Sequence, residues 1–73
     1  MTVQELIAEL QQLPATSLVI LQKDAEGNGY SPCSGTDVAV YMAESTWSGD
    51  SYRLDDPDRP VGAVPCVVLY PIN

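Results

Sequence analysis

Thr2-Val3-Gln4-Glu5-Leu6-Ile7-Ala8-Glu9-Leu10-Gln11-Gln12-Leu13-Pro14 and, after Ala15-Thr16, Ser17-Leu18-Val19-Ile20-Leu21-Gln22 decide the fold. Thr2 and Glu5 have the spacing of a capping box, in which each side chain satisfies the other's backbone amide. Behind them Val3, Leu6, Ile7, Leu10 and Leu13 recur at helical spacing, with Gln4, Glu9, Gln11 and Gln12 on the far side. Pro14 has no amide proton and disfavours helical geometry at Leu13, so the helix is expected to stop near Gln12. Ser17 to Gln22 is aliphatic on both faces, the pattern of a short, largely buried strand.

Outward from there, Lys23 to Gly35 has three glycines, two serines, a proline and an asparagine and reads as a long loop. Thr36 to Met42 alternates, Val38, Val40 and Met42 on one side and Ala39 and Tyr41 on the other, which predicts a half-buried strand. Glu44 to Gly62 is polar, punctuated by Gly49, Pro57 and Pro60, and reads as a second, acidic loop. Ala63 to Tyr70 predicts the last strand, with Cys66, Val68 and Tyr70 opposite Val67 and Leu69. Pro65 cannot donate to a ladder and favours an edge or a strand start. Helix, strand, strand, strand predicts an α+β domain spanning residues 1–73. One N-terminal helix packs on a three-stranded, mainly antiparallel sheet with two long loops.

Composition narrows function. The chain has 73 residues, ten carboxylates against three cationic side chains, no histidine, a net charge of −7 and a pI near 4.1. Such a field repels phosphate backbones and anionic lipid and attracts basic protein surfaces, so neither direct nucleic-acid nor membrane-surface binding is expected. The missing histidine removes the usual proton-transfer group at neutral pH and the commonest nitrogen ligand for metals. At 45% hydrophobic the chain is expected to fold around a small core worth roughly 3 to 5 kcal/mol. No basic region precedes an apolar stretch at the N-terminus and no aliphatic run is long enough to cross a bilayer, which predicts a soluble, cytoplasmic protein. Cys33 and Cys66 are then expected as free thiols, Cys66 in the core.

Four segments are candidates for chemistry. Asp24-Ala25-Glu26-Gly27-Asn28-Gly29 imitates the start of a calcium loop, but Gly35 stands where the closing glutamate belongs, so no metal site is expected. Tyr30-Ser31-Pro32-Cys33-Ser34-Gly35 offers hydroxyls and a thiol, yet the only orthodox base is the lone lysine, Lys23, and a serine turn explains the same residues. Trp47, with Tyr52 after it, is either a core or loop anchor or a partner contact, since aromatics dominate binding hot spots. Asp50, Asp55, Asp56 and Asp58, with Glu44 before them, present charge at phosphate-like intervals or merely keep the protein soluble.

The chain resembles a group of short proteins of tailed phages and prophages. The likeness runs through the opening helix to Pro14, the Asp24-to-Pro32 loop, Glu44-Ser45-Thr46-Trp47-Ser48-Gly49 and the closing Val67-Val68-Leu69-Tyr70-Pro71-Ile72-Asn73. It carries no catalytic residue over and implies no cofactor. Together with the charge it implies a non-catalytic inhibitor of a bacterial defence system, of the anti-CRISPR kind, acting in the host cytoplasm. The expected partner is a host protein with a basic surface, such as a nucleic-acid-binding defence complex. Glu44, Trp47, Asp50, Tyr52, Asp55, Asp56 and Asp58 are the expected contacts, acting as a steric block or as a nucleic-acid mimic. The alternatives are a sponge that sequesters a nucleotide signal and an accessory phage protein without an immune role. Like charge opposes close approach of two copies at low salt, which favours a monomer over a homodimer.

Overall fold

The computed structural model describes residues 1–21 and 29–72. It is an α+β fold, with one short helix, α1 (Val3–Leu10), and four strands: β1 (Leu18–Leu21), β2 (Cys33–Ala43), β3 (Gly49–Tyr52) and β4 (Val64–Pro71). The capping box forms as the spacing predicts. The Glu5 amide donates to the Thr2 hydroxyl at 3.2 Å and the Thr2 amide to the Glu5 carboxylate at 3.0 Å. Hydrogen bonds to the Glu5 carboxylate from the Thr2 amide and then the Thr2 hydroxyl, with the N-terminal charge, hold that carboxyl below its ordinary value. The terminal ammonium also donates to the Cys33 carbonyl at 3.3 Å, tying the start of α1 to the start of β2. No residue of α1 is buried. Leu6, Leu10 and Leu13 are half-buried while Val3 and Ile7 face solvent, and α1 has no extensive contact with any strand, so the expected packing of the helix on the sheet is not realised.

The sheet order is β1-β4-β2-β3. β4 runs parallel to β1, with Leu18 opposite Cys66 and Leu21 opposite Leu69, and antiparallel to β2, with Ala39 opposite Cys66 and Val38 opposite Val67. β2 and β3 form an antiparallel hairpin, Met42 opposite Asp50 and Val40 opposite Tyr52. The sheet is therefore mixed and four-stranded, where the sequence predicts three mainly antiparallel strands.

Two physical reasons account for the difference. β4 is the most buried strand, Cys66, Val67 and Val68 all being buried, and it reaches that burial between β1 and β2. β3 is polar, and it exists because the hairpin turn returns it along β2. Pro65 accordingly lies in an interior strand, at its second residue, before β1 begins its pairing at Cys66. Of the two positions expected for this proline, the strand start is the one realised.

The registers sort side chains onto two faces. Ala39, Cys66 and Val68 form a cluster on one, with Ile20, Tyr41 and Tyr70 packed against it. Val40 and Val67 are buried on the other. β1 departs from expectation: Leu18, Val19 and Leu21 are exposed at the sheet edge, so the strand is not largely buried. β2 starts earlier than Thr36, at Cys33, with a bulge at Ser34 that the Ser34 hydroxyl bridges to the Tyr70 carbonyl at 3.2 Å. Both cysteines are free, Cys66 buried and Cys33 half-buried. Burial pushes the Cys66 thiol up.

Candidate functional site

The hairpin joining β2 to β3 is a built feature. The amides of Glu44 and Ser45 both donate to the Ser48 carbonyl, at 2.9 and 3.1 Å. The Ser45 hydroxyl accepts from the amides of Trp47 and Ser48, at 3.3 and 3.1 Å, and lies 3.2 Å from the Ser48 hydroxyl. Serine side chains replacing backbone partners in this way fix a turn that has no apolar support. Gly49 closes it. A Cβ there would overlap the Met42 carbonyl oxygen and the ring and hydroxyl of Tyr41, so only glycine lets the Tyr41 ring cross the hairpin.

This frame holds Trp47 at the tip, 77% exposed. A core role is therefore excluded, which leaves loop anchor and partner contact of the roles open in the sequence. The indole stands on the rim of an open groove of about 900 Å³ whose floor includes Ile20, Tyr41, Val68 and Tyr70 and whose side is β1. Glu44 and Asp50 flank the tip. They sit close enough for their carboxyls to share a hydrogen bond, which with their mutual repulsion raises the Glu44 pKa. One proton is thus held more tightly there than on an isolated carboxylate.

Structure divides the sequence-predicted contacts into two groups. Glu44, Trp47 and Asp50 lie together at the turn end of the hairpin. Tyr52 is half-buried at the other end of β3, roughly 10 Å along the strand, opposite Val40 as an aromatic–aliphatic cross-strand pair. Asp55, Asp56 and Asp58 follow it in a segment folded on itself. Arg53 forks onto Asp55, Nε to Oδ1 at 3.3 Å and the second nitrogen to Oδ2 at 3.4 Å. The Asp56 carboxylate accepts from the Asp58 amide at 2.8 Å, and Arg59 reaches the Leu54 carbonyl at 2.9 Å. Two successive turns, Arg53 to Asp56 and Asp56 to Arg59, complete the segment. Asp56 is half-buried within it, so the Asp55 and Asp56 carboxylates are engaged in their own turn, whereas exposed Asp58 contributes its amide and not its carboxylate.

The remaining candidates resolve locally. Ser31 donates to the Pro32 carbonyl at 2.9 Å and accepts from the Ile72 amide at 3.0 Å, a clasp between the two strand ends. The calcium-like segment at 24–28 lies outside the described residues. Among the described residues no group of three or more His, Cys, Asp or Glu is placed to hold a metal ion, and no helix is long and apolar enough to cross a membrane. The groove beside Trp47 and the Tyr41–Gly49 packing that shapes it were missed from sequence. A short serine-flanked turn between Ala43 and Gly49 was the available signal. No protein family, curated protein or solved structure matches the chain.

Proposed function

We propose that this chain is a non-catalytic binding protein that occupies a basic surface of a partner protein with the Trp47 hairpin as its anchor. The exposure of Trp47 on a turn held by its own serine network carries the proposal. An indole 77% exposed on a hydrogen-bonded turn loses little conformational freedom on binding, which is what makes tryptophan a hot-spot residue. Glu44 and Asp50 beside it add negative charge to the contact, and the net −7 steers a cationic partner toward it.

The phage resemblance supplies the partner class, a host defence protein, and the outcome, inhibition by occupation. The Asp55–Asp58 turn contributes to long-range attraction more than to contact, because two of its three carboxylates, Asp55 and Asp56, are engaged within it. Steric block therefore fits better than a mimic of a phosphate row. A nucleotide-sequestering role fits less well, since among the described residues the groove's lining includes no cation to meet a phosphate.

Affinity purification from bacterial lysate, with wild type and Trp47→Ala as paired baits at low and high salt, tests the proposal. A basic protein retained by wild type at low salt, and lost both to the variant and to salt, supports it. The same protein retained equally by both baits removes Trp47 as the anchor.

A further inference from the structure

β1 has an interior strand's sequence in an edge position. Leu18-Val19-Ile20-Leu21 is aliphatic on both faces, as strands covered on both sides are, yet β4 is its sole strand neighbour among the described residues. Val19 is 54% and Leu21 69% exposed. Edge strands are ordinarily blunted with charge, proline or a bulge, and β1 has none of these. The opposite edge, β3, reads Gly49-Asp50-Ser51-Tyr52 and carries a carboxylate.

The surface area agrees. A compact chain of 7.9 kDa exposes about 4,400 Å². This one exposes 5756 Å², and the excess is larger than the ~800 Å² per partner of a standard interface. Its radius of gyration, 12.9 Å, likewise exceeds the about 11 Å of a compact domain of this length.

Charge identifies the occupant. Between Glu9 and Lys23 the sequence has no charged residue, so β1 and its approach are neutral. Asp50, Asp55, Asp56 and Asp58 lie on or beyond β3, at the other side of the sheet. A basic partner finds no counter-charge at β1, whereas a second copy meets no repulsion there and keeps its own aspartates at the far edge. The like-charge objection to a homodimer presumes that the acidic segments face each other, and this topology separates them.

We propose that β1 is a homodimer edge, pairing antiparallel with β1 of a second copy to make one continuous eight-stranded sheet. Directly opposed residues share a face and side chains alternate, so a two-fold axis keeps like faces together only when Val19 or Ile20 stands opposite itself. Either register sets aliphatic against aliphatic, Leu18 against Ile20 in the first and Val19 against Leu21 in the second. The two grooves join along their β1 sides.

Sedimentation equilibrium on the full chain tests this. From about 1 µM to 1 mM the mass should rise from one chain to two, with association tightening several-fold as added salt screens the −7 charges. Val19→Lys/Leu21→Lys, with an unchanged circular dichroism spectrum, should weaken association at least about tenfold by placing charge on the edge. Asp58→Asn, beyond the opposite edge, should leave association within about twofold of wild type. A single-chain mass throughout, or a lysine variant that pairs as tightly as wild type, overturns the proposal. If the lysine variant does not fold, amide exchange on wild type decides. Protection at Leu18 to Leu21 that rises with protein concentration supports the dimer, and concentration-independent exchange there overturns it.

Discussion

Replacing Gly49 by alanine places a methyl group where the Met42 carbonyl oxygen and the Tyr41 ring already sit. The carbonyl belongs to β2, whose partner Asp50 lies next to Gly49, so it cannot retreat without opening the β2–β3 ladder. Overpacking of this kind costs about 1–3 kcal/mol. Alanine returns roughly 0.4–1 kcal/mol by restricting the unfolded chain, which leaves a net loss of about 1–2 kcal/mol. A domain of this size has on the order of 3–5 kcal/mol in total, so the substitution removes a large share. With a urea slope near 1 kcal/mol/M, the unfolding midpoint followed by circular dichroism should fall by about 1–2 M. Gly35→Ala is the control, because nothing lies within 4 Å of a Cβ there, and it should be neutral or stabilising by up to about 1 kcal/mol. Adding Tyr41→Ala to Gly49→Ala should show coupling, since the ring overlap vanishes while the carbonyl overlap persists. A Gly49→Ala protein within about 0.5 kcal/mol of wild type would refute the packing that shapes the hairpin.

Trp47→Ala should leave the urea midpoint unchanged within error, because the indole is exposed, whereas a large loss would return it to a structural role. Thr2→Ala removes one half of the capping box and should cost about 1 kcal/mol by urea unfolding; no change would mean that α1 is not coupled to global folding. In native protein a thiol reagent should modify half-buried Cys33 quickly and Cys66 only as fast as the fold opens, and equal rates would contradict the burial of Cys66. The two shifted carboxyls should have opposite signs in stability against pH. The Glu5 pKa is lowered on folding, so its contribution is present above the unfolded value and fades as pH falls through the lowered one. The Glu44 pKa is raised, so its penalty is full above the raised value and vanishes in acid. Near neutral pH Glu44→Gln should therefore raise the midpoint and Glu5→Gln should lower it. Both should converge on wild type well below the carboxylate range, and matching signs would contradict the assignment.

Helix, capping box and the faces of β2 and β4 were legible because each rests on local chemistry: a Thr-x-x-Glu spacing, or alternation over six residues or more. The parallel β1–β4 pair was not. Nothing in Leu18-Val19-Ile20-Leu21 says which strand it joins, and the order of strands in a sheet is set by which apolar run needs cover on both faces, here Cys66-Val67-Val68. β3 was hidden for a related reason, since Gly-Asp-Ser-Tyr has no strand periodicity and pairs through the turn that precedes it. Among the candidate contacts, charge and aromaticity pointed to Glu44, Trp47 and Asp50 together. They also pointed to Asp55, Asp56 and Asp58, of which the fold spends Asp55 and Asp56 on a turn with Arg53 and Arg59 close by. Composition counts charges without showing which are already paired.

The central claim, that an exposed indole on a rigid acidic hairpin anchors this protein to a basic partner, is tested most directly by calorimetric titration. The titrant should be the protein recovered with the wild-type bait. Wild type should bind with an affinity that falls steeply with salt, Trp47→Ala should weaken it at least about tenfold, and Glu44→Gln/Asp50→Asn should chiefly reduce the salt dependence. Equal affinity for wild type and Trp47→Ala at every salt concentration would contradict the account.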